Sequence, residues 1–79
     1  MYEVILQIHA EDRALLIADI STALADMKVP LLEINTPKRT EDVIIMNLTV
    51  ACKNIDHCRS IVARLKAIRG VDSISRAHA

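Results

Sequence analysis

The chain of 79 residues is poor in several residue types: one glycine, two prolines, two cysteines, one tyrosine, and neither phenylalanine nor tryptophan. Each shortage excludes something. With a single glycine no glycine-rich phosphate loop can be written. With a single aromatic ring the chain lacks the stacking platforms by which small modules hold single-stranded bases. Ten basic residues are cancelled by ten acidic ones, so no broad field draws the chain to nucleic acid or anionic lipid, and direct DNA binding is not expected. No apolar run approaches the roughly 18 residues that a membrane span needs. The opening Met1-Tyr2-Glu3-Val4 has neither a basic start nor a cleavable apolar stretch, so no secretory leader is expected. Cys52 and Cys58 do not make a disulfide framework, and the expectation is two reduced thiols in a cytoplasm.

What is present is aliphatic. Apolar residues make up 52% of the chain, too many for a disordered tail. A domain this short buries only about 60% of the surface its unfolded chain exposes. It has room for one modest core and none for a deep two-domain cleft.

Residues 2–9 alternate, with Tyr2, Val4, Leu6 and Ile8 on one face and Glu3, Ile5, Gln7 and His9 on the other, which predicts a half-buried strand. Over 13–27 the spacing turns helical: Leu16, Ile20, Leu24 and Met27 form a stripe widened by Ile17 and Ala23, with Asp12 as the expected N-cap. Lys28-Val29-Pro30 breaks the helix. Residues 31–36 predict an edge strand, where Pro30 is tolerated at the start, and Pro37 to Asp42 a polar turn. Residues 43–51 predict a third strand, with Val43, Ile45, Asn47 and Thr49 opposite Ile44, Met46, Leu48 and Val50. A second helix begins at the N-cap candidate Asn54 and carries the stripe Ile55, Cys58, Ile61, Val62, Leu65 and Ile68. Gly70 is the expected C-cap, and Val71 to Arg76 a last strand. The order β-α-β-β-α-β predicts an α+β, ferredoxin-like sandwich: a four-stranded antiparallel sheet in order 4-1-3-2 with two helices on one face. The other face, carrying Glu3, Ile5, Gln7, His9, Leu31, Glu33, Asn35, Val43, Ile45, Asn47 and Thr49, is too apolar for plain solvation and too polar for a second core. It is either a half-wet sheet face or a contact with another domain or subunit.

No catalytic constellation is written in the chain. There is no Gly-x-Ser-x-Gly elbow, no Cys-His pair with an orienting acid, and no pair of converging carboxylates. Cys52, His57 and Cys58 are the only metal-like cluster, and Cys58 belongs to the helix stripe while His57 points about 100° away, so neither a metal nor a cofactor is expected.

The stretch His9-Ala10-Glu11-Asp12-Arg13-Ala14-Leu15-Leu16-Ile17-Ala18-Asp19-Ile20 resembles the opening of ACT domains, small βαββαβ regulatory modules whose first helix usually begins Asp-Arg-Pro-Gly-Leu-Leu-Ala-Asp-Ile. Three further stretches resemble the C-terminal ACT domain of RelA/SpoT-type (p)ppGpp synthetase/hydrolases. They are Lys28 to Asn35, Ile45-Met46-Asn47-Leu48-Thr49-Val50, and Leu65-Lys66-Ala67-Ile68-Arg69-Gly70-Val71. The resemblance runs from Tyr2 to about Arg76. It implies a single non-catalytic regulatory domain over 1–79, the C-terminal piece of a larger cytoplasmic GTP pyrophosphokinase of the stringent response. That domain would act in cis on upstream catalytic domains, with ribosome and tRNA signals reaching it through the parent. The alternative is an amino-acid-sensing ACT domain of a metabolic enzyme or free-standing repressor.

In this family a small ligand is held at the loop matching Asp12, Arg13, Ala14 and Leu15. The usual Pro-Gly is here Ala14-Leu15, and only glycine leaves open the space a Cβ would take. Leu15 therefore argues against a family-type amino-acid site; the plain alternative is a helix-forming surface or interface residue. ACT domains commonly pair through the first helix and second strand. The resemblance thus implies a homodimer through Leu31 to Thr36 with Leu15 and Asp19 nearby, and with Leu31, Glu33, Asn35, Ile5, Ile45 and Asn47 as candidate interface residues.

Overall fold

The computed structural model describes residues 2–77. Its elements are β1 (Tyr2–Glu11), α1 (Leu16–Asp26), β2 (Leu31–Arg39), β3 (Val43–Cys52), α2 (Ile55–Lys66) and β4 (Val71–Ala77). The strands lie in the order β2-β3-β1-β4, which is the expected order read from the other edge. All three pairings are antiparallel. The alternation of the first strand is borne out from Val4 to Ala10, while Tyr2, expected on the inward face, is exposed at the strand's start. Val4, Leu6, Ile8 and Ala10 are buried, while Ile5, Gln7 and His9 between them are half-buried. β1 and β3 pair without a bulge from Tyr2–Cys52 to Glu11–Val43. Ile44, Met46, Leu48, Val50 and Cys52 therefore share the buried face, and the helices pack there. Leu16, Ile20, Ala23 and Leu24 of α1 join Cys58, Ile61 and Leu65 of α2 in one cluster with the strands. On the opposite face the rows run across all four strands: Ser75, Gln7, Asn47 and Asn35 form one of them.

Several local expectations are corrected. α1 starts at Leu16 rather than at 13, because Leu15 precedes it in a left-handed conformation (φ 68°) and no side chain caps the helix. Asp12 is thus not the N-cap; its carboxylate is taken by Arg39. Ile17 faces solvent instead of widening the stripe, and Ile55 is 54% exposed: each lies at a helix start, where the first turn overhangs the sheet. β2 continues through Pro37-Lys38-Arg39, and the turn is only residues 40–42. Pro37 fits because β2 is an edge strand and the ladder slips between Asn35 and Lys38, so its missing N–H costs no bond. A second slip, between Leu31 and Glu33, puts Leu31 opposite Val50, on the helix side rather than on the open face. Gly70 has the expected positive φ (94°), but α2 ends at Lys66 with Ala67 as C-cap. Gly70 belongs to the turn into β4, where its carbonyl accepts from Glu11 N–H at 2.7 Å.

The stop of α1 is made by Lys28, left-handed at φ 57°. Lys28 N–H bonds Ala25 O at 3.0 Å and Val29 N–H bonds Leu24 O at 2.9 Å, the paired bonds of a Schellman ending, and Val29 is buried beside them. Asn54 caps α2 as expected: its side-chain oxygen accepts from His57 N–H at 2.8 Å. His57 Nδ1 in turn accepts from Lys53 N–H at 2.9 Å.

Leu65, Ile61, Leu6 and Leu48 belong to this one core cluster, all fully buried. Leu65→Ala is expected to lower the unfolding free energy by about 2–5 kcal/mol. Arg64→Ala, which breaks only a 3.7 Å surface pair with Asp26, should cost under about 1 kcal/mol. Chemical denaturation of the two variants checks the order. Cys52 supplies a pH dependence. Burial first, then the charge of Cys58 and a hydrogen bond to it, pushes its thiol up to about 11 from 9.0, with Arg76 pulling the other way. On raising the pH the unfolded thiol ionises before the folded one. This contribution is therefore full below about pH 9 and lost as the pH rises through about 11. Denaturation midpoints of the wild type should fall more steeply across that window than those of Cys52→Val, which has no thiol to ionise.

Candidate functional site

The loop joining β1 to α1 gathers Asp12, Arg13, Ala14 and Leu15. At its start Asp12 N–H donates to Asp42 O at 3.0 Å, the residue that the β1–β3 register places opposite it. On one side the loop is tied to the end of β2. Arg39 Nε donates to Asp12 Oδ2 at 2.7 Å and a terminal nitrogen donates to Oδ1 at 3.3 Å. This fork raises the Arg39 guanidinium above its ordinary pKa, through the hydrogen bond first and the carboxylate charge second. On the other side it is tied to the turn after α2. Arg13, whose side chain is only 12% exposed, donates from Nε to Arg69 O at 2.8 Å, from one terminal nitrogen to Ala14 O at 2.9 Å, and from the other to Asp19 Oδ2 at 2.7 Å. Gly70 lets this side chain pass, since a Cβ there would stand 3.2 Å from Arg13 Nε.

Leu15 sits at the crest. Its side chain is 73% exposed, and its carbonyl opens the helix by accepting from Asp19 N–H at 2.9 Å. The glycine that this loop usually carries thus serves a backbone purpose as well as a steric one. The position needs a left-handed φ, which a leucine adopts only against the Cβ–carbonyl repulsion. That requirement has no signal in local sequence beyond the family pattern itself.

The loop and the remaining expected interface residues do not form one patch. Asp19 joins the loop through Arg13. Ile5, Ile45 and Asn47 lie half-buried on the open face, where Gln7 Nε2 donates to Asn47 Oδ1 at 3.2 Å and His9 Nε2 meets Gln7 Oε1 at 3.1 Å. Glu33 and Asn35 extend that face onto β2 opposite Thr49 and Asn47, whereas Leu31 is with the core. Leu32 and Ile34, inside the expected Leu31–Thr36 seam but not singled out by the alternation, are exposed on the β2 edge. Leu32 occupies the ladder slip between Leu31 and Glu33, and Ile34 pairs with Leu48 beyond the reach of the helices. Among the described residues no three His, Cys, Asp or Glu side chains converge as a metal site. Among the described residues no helix is long and apolar enough to cross a membrane.

Replacing Leu15 by glycine tests the strain directly. The left-handed leucine costs roughly 1–2 kcal/mol, and glycine gives back about 0.5–1 kcal/mol through unfolded-state entropy. Leu15→Gly should therefore raise stability by about 0.5–1 kcal/mol. A lower urea midpoint for Leu15→Gly would refute the assignment of strain to this residue.

A family model of the ACT domain matches residues 1–76. The fold superposes on the crystal structure of the ACT domain from the GTP pyrophosphokinase of Chlorobium tepidum with a TM-score of 0.82, at 18% identity, over 96% of this chain and 97% of that one. The solution structure of the same domain gives 0.81, at 18% identity, over 99% and 88%. A homoserine dehydrogenase from Thiobacillus denitrificans is 25% identical over 94% of this chain with a TM-score of 0.71, and the match takes up 16% of that enzyme. No curated protein matches the chain in sequence. The sequence match over nearly the whole length and the shared topology agree, and the chain belongs to the ACT domain family.

Proposed function

We propose that this chain is a regulatory and assembly module that catalyses nothing itself and controls in cis a cytoplasmic (p)ppGpp synthetase/hydrolase, a GTP pyrophosphokinase of the stringent response. The observation that carries the reading is the state of the β1–α1 loop. Asp12 is spent on Arg39 and Arg13 on Arg69, Ala14 and Asp19. Leu15 occupies the approach that a glycine leaves to a ligand. A loop so engaged favours signalling by contact over signalling by a bound amino acid. The likeness to the Chlorobium tepidum domain along both full lengths supports the choice of parent.

Two surfaces serve such a role. The edge of β2 exposes Leu32 and Ile34, with Leu15 and Ile17 of the neighbouring loop and helix also in solvent. Pairing two copies there would satisfy the free edge and make an eight-stranded sheet about a two-fold axis. Glu33 and Asn35 would lie at the seam, with Leu31 just beneath it. The open face around Ile5, Gln7, Ile45, Asn47 and Thr49 would then meet the parent's catalytic domains. A module of this kind works by binding one conformation of its parent better than another, and ribosome or tRNA signals would arrive through that parent.

The homoserine dehydrogenase match favours one second reading, an amino-acid-sensing domain of a metabolic enzyme. One set of measurements separates the two. Ile45→Asp in the parent enzyme should shift the balance of synthesis and hydrolysis while leaving the isolated catalytic half unchanged; an unaltered balance in a folded variant rejects the open face as the contact. Calorimetry with the twenty amino acids should show nothing tighter than about 1 mM. A micromolar ligand protecting Asp12 to Leu15 would install the sensor reading in its place.

A further inference from the structure

Three features at the β4 edge of the sheet depart from a plain amphipathic fold, and they meet in one groove. Arg76 pairs with Leu6 across the β1–β4 ladder, so it projects from the helix-covered face, where its neighbours Val4, Leu6, Ile8 and Ile74 are all apolar. Arg13 is answered by Asp19 and Arg39 by Asp12. Among the described residues no carboxylate pairs with Arg76. Ile55, an apolar residue of α2's stripe, is left more than half in water. Between α2 and β4 lies a groove of about 430 Å³ lined by Ile55, Cys58, Val62 and Ile74 and by Arg59 and Arg76.

The groove falls within the roughly 300–1,000 Å³ of small-molecule sites, which are typically apolar with a few polar groups that orient the ligand. Among the described residues its only charged lining groups are the two guanidiniums. Arg59 is engaged only by Asp56 of the same helix, at 3.8 Å with both side chains largely exposed. Such a pair is loose and exchanges readily for a better acceptor. An arginine fork matches a carboxylate through two parallel N–H bonds. The surrounding aliphatic surface asks for a ligand that is mostly apolar, and a multiply charged phosphate compound would leave that surface wet. The groove shares no residue with the Asp12–Leu15 loop.

We infer that the α2–β4 groove is a second binding site, for a small monocarboxylate with a compact apolar body. The acid group rests on Arg76 and Arg59 and the body on Ile55, Val62 and Ile74. This holds whichever enzyme the domain regulates.

The test is a titration of the isotope-labelled chain with octanoate, followed by amide chemical shifts, with octanol and octylammonium as same-tail controls. Octanoate should shift amides of residues 55–63 and 74–76 saturably at millimolar concentration, and more tightly than either control. Arg76→Gln should weaken octanoate by about tenfold or more, the loss expected for a hydrogen bond to a charged group, and leave octanol unchanged. Arg76→Lys should recover part of that loss. If Arg76→Gln proves unfolded, Arg59→Gln serves in its place with the same expected direction. No saturable shift, equal shifts with the controls, indifference to both arginine variants, or shifts confined to Asp12–Leu15 would each overturn the assignment.

Discussion

The uninterrupted pairing of β1 with β3 is the constraint on which the rest of the molecule depends. Ten consecutive residue pairs, Tyr2–Cys52 to Glu11–Val43, run without a bulge. In such a ladder a slip of one residue would turn one strand over relative to the other, sending either Leu6 and Ile8 or Met46 and Leu48 out to solvent and bringing Ile5 and Gln7, or Ile45 and Asn47, into the core. The aliphatic side chains forbid that slip. Once the central pair is set, both helices have one face to cover, and the outer strands add to an existing template. The outer strands also carry the irregularities: β2 slips twice and β4 once. Register is enforced where both neighbours and a buried face demand it, and relaxed at the edges where neither does.

A second constraint is the scarcity of glycine. Among the described residues three places take a left-handed backbone, and they are filled by Leu15, Lys28 and Gly70. Lys28 is held by two bonds back into α1 and by the burial of Val29. Leu15 is held by its surroundings, since the loop is anchored by Arg13 to the turn after α2 and by Asp12 to β2. Strain of this kind persists only where neighbouring structure over-determines the conformation. A stiff, internally satisfied loop crowned by an exposed leucine is suited to meeting another surface. The same loop with glycine and unengaged polar groups would be suited to wrapping a small molecule.

The distribution of polarity over the domain points the same way. The core beneath the helices is dry, and among the described residues no polar side chain is fully buried. What is mixed lies outside: the amide row of Gln7 and Asn47 on the open face, the aliphatic residues along the β2 edge, and the two arginines beside Ile55. With a core this small, the domain has little interior in which to build a chemical site, and its capacity to act lies in its surfaces and the grooves between them.

Most of the architecture was legible in the residues alone. The period-two runs of β1 and β3 and the stripes Leu16-Ile20-Leu24 and Cys58-Ile61-Leu65 are repeated signals, each position confirming the next, and Asn54 is a local cap whose partner lies three residues away. The pattern of the Asp12–Ile20 stretch also carried the family. What the residues could not tell was decided by partners distant in sequence. Asp12 looked like a helix cap until Arg39, brought alongside by the β2 ladder, took its carboxylate. Leu15 looked like the first turn of a helix, but the fold required a reversal there. Pro37 read as a turn, yet an edge strand with a slipped register accommodates it. Leu31 changed faces because the ladder slips just after it, and Ile55 and Ile17 stayed in water because none of the described residues covers those first turns. Periodicity reports which side of an element is apolar; only the assembled sheet determines where the ladder slips, which charges meet, and which apolar side chains remain for a partner to cover.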